Sequence, residues 1–349
     1  MPKSIIKSCN LDIKSASLDR LVDAYLNQTA VTRINVAQKC RVSTSTSGKV
    51  ASALVDCGFA EQRLYADKGK RPALHLFIKE GLNVLVVDLS HSVYTMKIID
   101  PYGKCLFMRD HVYDASMSYE DNLNVFLSRC GYQAKIAQKS FYAISVVFSD
   151  SQPFARAALL DLDCYIPTMY DKDKTDRIIR SVFKRQAVTY VNLSDALLAA
   201  IKFGVVPSTN TSCGASYLFI GSQLDAFNVS FKGSIHCDIG SLIIDSDTVA
   251  SLARNRVSSD TLEIILTRIV NMMQCAFASS SVVLDSDIYH LDEQMIRNVC
   301  RNCAKAGVLA TTVIASSNAS SVTHIGAMKL AISNFIRTVI HASDENKNI

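Results

Sequence analysis

Apolar positions recur at helical spacing in the N-terminal segment and at strand spacing beyond it. Leu18, Leu21, Val22, Tyr25 and Leu26 fall on one helix face, which predicts a helix over residues 17–27. Thr32 is placed to cap a short second helix carrying Ile34, Ala37 and Cys40. Arg41, Val42 and Ser43 then read as a turn. Ser43 is a natural N-cap for a third helix that buries Val50, Leu54 and Cys57 and stops at Gly58. Two strands follow, at 62–66 and 73–78. They flank Asp67-Lys68-Gly69-Lys70-Arg71, a glycine turn with three cations.

Helix, helix, turn, helix and basic hairpin, in that order, predict a winged helix-turn-helix over residues 1–80. The N-terminal part of the third helix of such a unit enters the major groove of DNA. Arg41, Ser43, Thr44, Ser45, Thr46, Ser47 and Lys49 are therefore expected to meet double-stranded DNA there, as short donors and acceptors with two cations. Lys68, Lys70 and Arg71 in the wing are expected at phosphates.

Strands dominate after residue 82. Residues 83–89 form a buried-strand run, 94–99 alternate, and Asp100-Pro101-Tyr102-Gly103 turns the chain into a third strand. Residues 215–238 repeat that outline: an apolar strand, a polar turn, an alternating strand and a Lys232-Gly233 turn. Two similar meanders predict two related lobes. Between and after them, strand patterns at 142–148, 187–193, 280–286 and 311–316 alternate with helical ones. The helices are expected from near Lys174, over 194–205, 259–277 and 291–306, and from Gly326 onward. Each lobe is therefore expected to be α/β.

Charge sharpens the division. Residues 1–80 hold 13 Lys and Arg against 7 Asp and Glu, while the whole chain holds 37 against 32. The whole positive excess lies in the segment expected to bind a polyanion. No apolar run would span a bilayer, and the N-terminus lacks a signal-peptide core, so a cytoplasmic location without a membrane partner is expected. The 11 cysteines stand mostly singly among apolar neighbours and read as reduced thiols. Cys300 and Cys303 form the one CxxC, with no second pair to complete a zinc site, and read as two thiols on a helix.

At this point five segments, in order, resemble the ROK family of sugar kinases and transcriptional repressors. GKRPALHL resembles the GRRPxxL signature of its regulator branch, and VVDLSHSVYTMKIID the first phosphate hairpin, usually DxGGT. VTYVNLSDALLAAIKFG resembles the segment usually reading VENDANAAALAE. IGSQLDAFNVSFKG resembles the second phosphate hairpin, and THIGAMKLAI the closing alanine-rich helix with its GAA start. The resemblance covers nearly the whole chain. It implies an α/β fold in which the winged helix-turn-helix precedes a two-lobed actin-like ATPase of ribonuclease H-like type. The first lobe would span 81–205, completed by the helix 326–349, and the second 206–325. It also implies homodimers.

The departures from that pattern bear on chemistry. Phosphate hairpins use glycines so that backbone N–H groups reach phosphate oxygens. Ser90 and His91 stand where the family has two glycines. In the second hairpin Gly221 remains, while Gln223 and Asp225 stand near glycine positions; Asp285-Ser286 replaces the glycine pair expected near adenine. The family's catalytic Asp falls on Ser194, with Asp195 next. Asp238-Ile239-Gly240-Ser241 resembles ExGH with serine at the histidine, and no cysteine cluster follows it. The resemblance thus implies a body without catalytic residues, cofactor or metal. Asn192, Asp195 and Asp238 remain as candidate positions for a sugar or sugar-phosphate effector. The expected function is a DNA-binding transcriptional regulator of repressor type. Two alternatives stay open. One is an ATP-dependent sugar kinase with Asp195 as base and Gly221 by the phosphate. The other is a ligand-independent dimeric scaffold whose cleft is filled by His91 and Gln223.

Overall fold

The computed structural model describes residues 15–27, 31–66, 72–91, 93–114, 116–136, 141–149, 171–183, 187–206, 214–220, 224–230, 233–236, 251–252, 256–279, 281–286, 288–306, 312–315 and 321–345. Its N-terminal part consists of α1 (Ser15–Leu26), α2 (Arg33–Cys40), α3 (Thr44–Asp56) and the antiparallel pair β1 (Ala60–Tyr65) and β2 (Ala73–Ile78). The caps are those the residue types favour. Thr32 accepts from the Asn35 N–H and Ser43 from the Thr46 N–H. Arg41 ends α2 in the left-handed conformation, at φ 52°. Strand β1 begins at Ala60, two residues before the alternating pattern suggests, because the buried pair Ala60–Ile78 anchors the base of the hairpin.

Two five-stranded sheets follow. The first contains β3 (Val84–Asp88), β4 (Val93–Ile99), β5 (Cys105–Val112), β6 (Ala143–Phe148) and β7 (Ala187–Asn192), ordered β5-β4-β3-β6-β7. The second contains β8 (Ala215–Ile220), β9 (Leu224–Ser230), β10 (Gly233–His236), β11 (Ser281–Asp285) and β12 (Thr312–Ala315), ordered β10-β9-β8-β11-β12. Both sheets place their strands as 3-2-1-4-5, with an antiparallel meander continued by two parallel strands. This is the mixed α/β, ribonuclease H-like arrangement, used twice.

Alternation along the central strands assigns the two faces of each sheet. Leu85 and Val87 face outward beneath α4 (Tyr119–Ile136) and α5 (Lys172–Val182), and Val84 and Val86 face inward. In the second sheet Leu218 and Ile220 lie beneath α7 (Ser259–Phe277) and α8 (Glu293–Lys305), and Tyr217 and Phe219 face inward. The inner faces share two helices, α6 (Leu193–Lys202) and α9 (Val322–Glu345), in one core that also takes in α1–α3. No described helix is long and apolar enough to cross a membrane.

Helix α9 starts at Val322, four residues before the GAM sequence. Gly326 therefore lies within the helix, where it permits contact with α6: a Cβ there would stand 2.0 Å from the Ala196 carbonyl oxygen.

The N-terminal helices are tied to this pair. Asp23 of α1 pairs with Lys202 of α6 (2.5 Å) and with Arg337 of α9 (2.7 Å), and it accepts a hydrogen bond from Ser333 (2.6 Å). Lys329 donates to the Leu26 carbonyl at the end of α1 (2.7 Å), and Asn27 donates to the Lys202 carbonyl at the end of α6 (3.2 Å). These bonds occupy carbonyls that a helix C-terminus leaves unpaired. Burial lowers the Lys329 pKa to about 8.

Candidate functional site

Two places concentrate polar chemistry: the outer surface of α3, and the space between the sheets where β3 and β8 end.

On α3, Ser43, Thr44, Ser45, Lys49 and Ser52 are exposed, as is Arg41 just before it. Ser43 is occupied with capping: its Oγ accepts from the Thr46 N–H (3.0 Å) and lies 2.7 Å from the half-buried Thr46 Oγ1. Ser47 corrects the sequence reading. It is completely buried, donating to the Arg33 carbonyl (2.9 Å) and sharing a hydrogen bond with the Tyr25 hydroxyl (2.7 Å). The Tyr25 hydroxyl also donates to the Ser47 carbonyl (3.0 Å). Ser47 thus fixes α3 to α1 and α2 and offers nothing to a groove. The physical reason is helical: at about 100° per residue, a run of five consecutive side chains cannot share one face. The outward stripe is Ser45, Lys49 and Ser52, flanked by Thr44 and Arg41. Ser52 belongs to it by period alone and was missed.

Between the sheets, Asp88 at the end of β3 accepts from the Ser90 N–H (2.9 Å) and from the Ser90 hydroxyl. Its other oxygen lies 2.5 Å from His324 Nε2 at the start of α9. His324 Nδ1 lies 2.9 Å from Lys97 Nζ, so it accepts from the ammonium and leaves Nε2–H to donate to Asp88. Burial and the neighbouring Lys97 lower the His324 pKa, consistent with that neutral ring. Burial alone would raise Asp88, but hydrogen bonds from His324 and Ser90 oppose it and favour the ionised carboxylate. Burial lowers Lys97, against the attraction of Asp285 and Asp88. Asp285, ending β11, is raised by burial despite donors at Tyr217 (3.1 Å) and Ser321 (3.3 Å).

The rings of His91 and Phe219 stack across the two sheets with centroids 3.7 Å apart and planes 10° from parallel. The cavity left among Asp88, His91, Lys97, Asp285 and His324 is about 60 Å³. Lys97 and His324 were not identified from sequence. The available signals were a lone lysine in the apolar strand VYTMKII and a histidine directly preceding IGAM.

The remaining candidates do not converge here. Asn192 is the N-cap of α6, its Oδ1 accepting from the Asp195 N–H (2.7 Å), and Asp195 is exposed in the first turn. Neither lines the inter-sheet cavity. Asp238, Gly221, Gln223, Lys68, Lys70 and Arg71 lie outside the described residues. Cys300 and Cys303 are free thiols on α8, Cys303 facing the Thr267 carbonyl at 3.9 Å.

No protein-family model matches the chain, and no curated protein matches it significantly. Solved structures do match. An inorganic polyphosphate/ATP-glucomannokinase from Arthrobacter sp. strain KM has a TM-score of 0.48 at 13% identity, covering 72% of this chain and 98% of its own. A ROK hexokinase from Thermus thermophilus has a TM-score of 0.43 at 13% identity, covering 71% and 97%. A ROK family transcriptional regulator, described as a homologue of the E. coli MLC protein, has a TM-score of 0.60 at 11% identity, covering 94% of this chain and 100% of its own. Over that length the chain shares the fold of a ROK family transcriptional regulator.

Proposed function

We propose that the chain is a ROK-type transcriptional regulator that binds double-stranded DNA through a winged helix-turn-helix formed by residues 1–80. Residues 81–205 with α9, and residues 206–325, form the two lobes of a body that dimerises and carries out no phosphoryl transfer. The observation that carries the reading is Arg41. A non-glycine residue in the left-handed region is disfavoured by roughly 1 kcal/mol or more, and the turn between α2 and α3 would be relaxed by glycine. The exposed guanidinium beside Thr44, Ser45 and Lys49 is the gain that offsets this cost. Strain kept at an exposed turn points to a ligand, and Lys39, Arg41 and Lys49 make the surface of α2 and the first turns of α3 basic, with Asp56 at the far end of α3, which suits a polyanion.

The quiet body is supported by the side chains that occupy the space between the sheets. Asp88 is engaged by Ser90 and His324, and the His91–Phe219 stack stands where a phosphate would need open backbone. One recognition helix reads only a few base pairs, so usable affinity calls for two half-sites and a homodimer.

The test is selection of genomic DNA fragments by purified full-length protein, with binding measured across salt. A palindromic site whose affinity falls steeply with salt is expected. Arg41→Gly should melt at a higher temperature than wild type and bind that site more weakly. No enriched sequence, or binding indifferent to salt, would refute the reading. Repeating the measurement with added hexoses and hexose phosphates tests for an effector.

A further inference from the structure

The side chain of Arg33, the first residue of α2, lies across α3 at Gly48. Its Nη1 and Cδ lie 3.7 and 3.8 Å from where a Gly48 Cβ would stand. The guanidinium is half-buried, its Nε is shielded from solvent, and that Nε has no hydrogen-bond partner. Among the described residues Arg33 forms no ion pair. Arg337 differs in its ion pairs: also half-buried, and with an Nε that likewise makes no hydrogen bond, it is held by Asp19 (3.0 Å) and Asp23 (2.7 Å). Residues 31–55 hold Arg33, Lys39, Arg41 and Lys49 and no carboxylate. A charged group partly withdrawn from water with an unmade hydrogen bond is costly, and a guanidinium matches a phosphate in plane and spacing.

Gly48 belongs to the same device. A glycine inside a helix costs about 1 kcal/mol relative to alanine. A Cβ here would sit at ordinary contact distance from Arg33, so only a longer side chain would displace the guanidinium from beside the outward stripe of Ser45, Lys49 and Ser52.

We propose that Arg33, seated over Gly48, contacts a DNA phosphate at the edge of the groove that α3 reads. This rests on the DNA-binding reading above. It assigns Arg33 to positioning and affinity, because its guanidinium lies beside the base-facing stripe and not on it.

The test uses the full-length protein and the site obtained by selection, with affinity measured against potassium chloride concentration. Arg33→Gln should weaken binding to every sequence by a similar factor, about tenfold, and reduce the slope of log affinity against log salt by about 1. Arg33→Lys should restore the slope. Gly48→Met, which keeps the charge but fills its seat, should lose affinity and slope as Arg33→Gln does, and it serves if Arg33→Gln folds poorly. Unchanged affinity and slope in folded Arg33→Gln or Gly48→Met, with wild type still binding, would overturn the assignment and leave the DNA reading intact. So would a loss of discrimination at one base pair with the slope unchanged, since that marks a base contact. If wild type selects no DNA, the reading beneath it falls first.

Discussion

Gly326→Ala and Gly48→Ala are the same chemical change at two helix-interior glycines, and the structure gives them opposite signs. At Gly326 the new Cβ would lie 2.0 Å from the Ala196 oxygen and 2.9 Å from the Ala200 nitrogen, both backbone atoms of α6. Carbon and carbonyl oxygen approach to about 3.3 Å at closest, so α6 and α9 must separate by roughly 1 Å. Neither atom can rotate aside. A gap of 0.5–1 Å forfeits about a quarter to a half of each dispersion contact along the crossing, where Ala196, Ala200, Ala327 and Ala331 are buried. Overpacking costs about 1–3 kcal/mol, occasionally more, and the upper end is expected where two helix backbones meet. The gain of about 1 kcal/mol in helix propensity recovers part, leaving a net loss of about 2 kcal/mol or more. At Gly48 the Cβ meets only Arg33 side-chain atoms at 3.7 and 3.8 Å, ordinary contact distances. The propensity gain then stands, a stabilisation of up to about 1 kcal/mol. Urea unfolding of the two full-length variants, followed by circular dichroism, measures both. If the midpoints move in the same direction, or if Gly326→Ala equals wild type, the close crossing of α6 and α9 is wrong.

Three further outcomes follow from buried polar groups. Ser47→Ala should lower stability by about 1 kcal/mol by removing its hydrogen bonds to the Tyr25 hydroxyl and the Arg33 carbonyl, the hydroxyl keeping the Ser47 backbone carbonyl; a thermal melt equal to wild type would contradict this. Asp23→Ala should cost about 3 kcal/mol, the low end for a broken buried ion pair because Lys202 is half-exposed, and limited proteolysis should then cut the N-terminal helices first. His324 has a folded pKa below its unfolded value of about 6.5. The unfolded chain therefore binds the extra proton, so the stability linked to this group is present above pH 6.5 and declines as pH falls below it. The slope is at most about 1.4 kcal/mol per pH unit. Unfolding midpoints at pH 7.5 and 5.5 should differ more in wild type than in His324→Gln, and equal differences would refute the neutral buried imidazole.

Much of the architecture was legible because burial here follows simple periods. Leu18, Leu21, Val22 and Tyr25 describe α1, and Thr32 and Ser43 announce the next two helices through the hydrogen bonds their side chains make. The meanders repeat because both sheets use the same alternation. What stayed hidden depended on direction or on distant juxtaposition. Thr44 to Ser47 look alike as letters, yet only the helix turn separates exposed Ser45 from buried Ser47. The Gly326 motif reads as a helix start, but its role is set by Ala196, a residue on another helix. Asp88, Lys97, Asp285 and His324 meet through four separate segments, and no local spacing joins them.

The contact between α1 and α9 has a consequence for how the chain is made. Ser333 and Asp23 are hydrogen-bonded across 310 residues of sequence, and Ile332, Ile336 and Ile340 complete the cluster that Leu18, Leu21 and Tyr25 begin. At about 5–20 residues per second of ribosomal synthesis, α1 emerges on the order of 15–60 s before its partner exists. Over that interval α2, α3 and β2 can cover part of the α1 face, while the part that meets α9 stays exposed, a natural target for chaperones. A fragment ending at the hairpin would keep that part of the face exposed permanently.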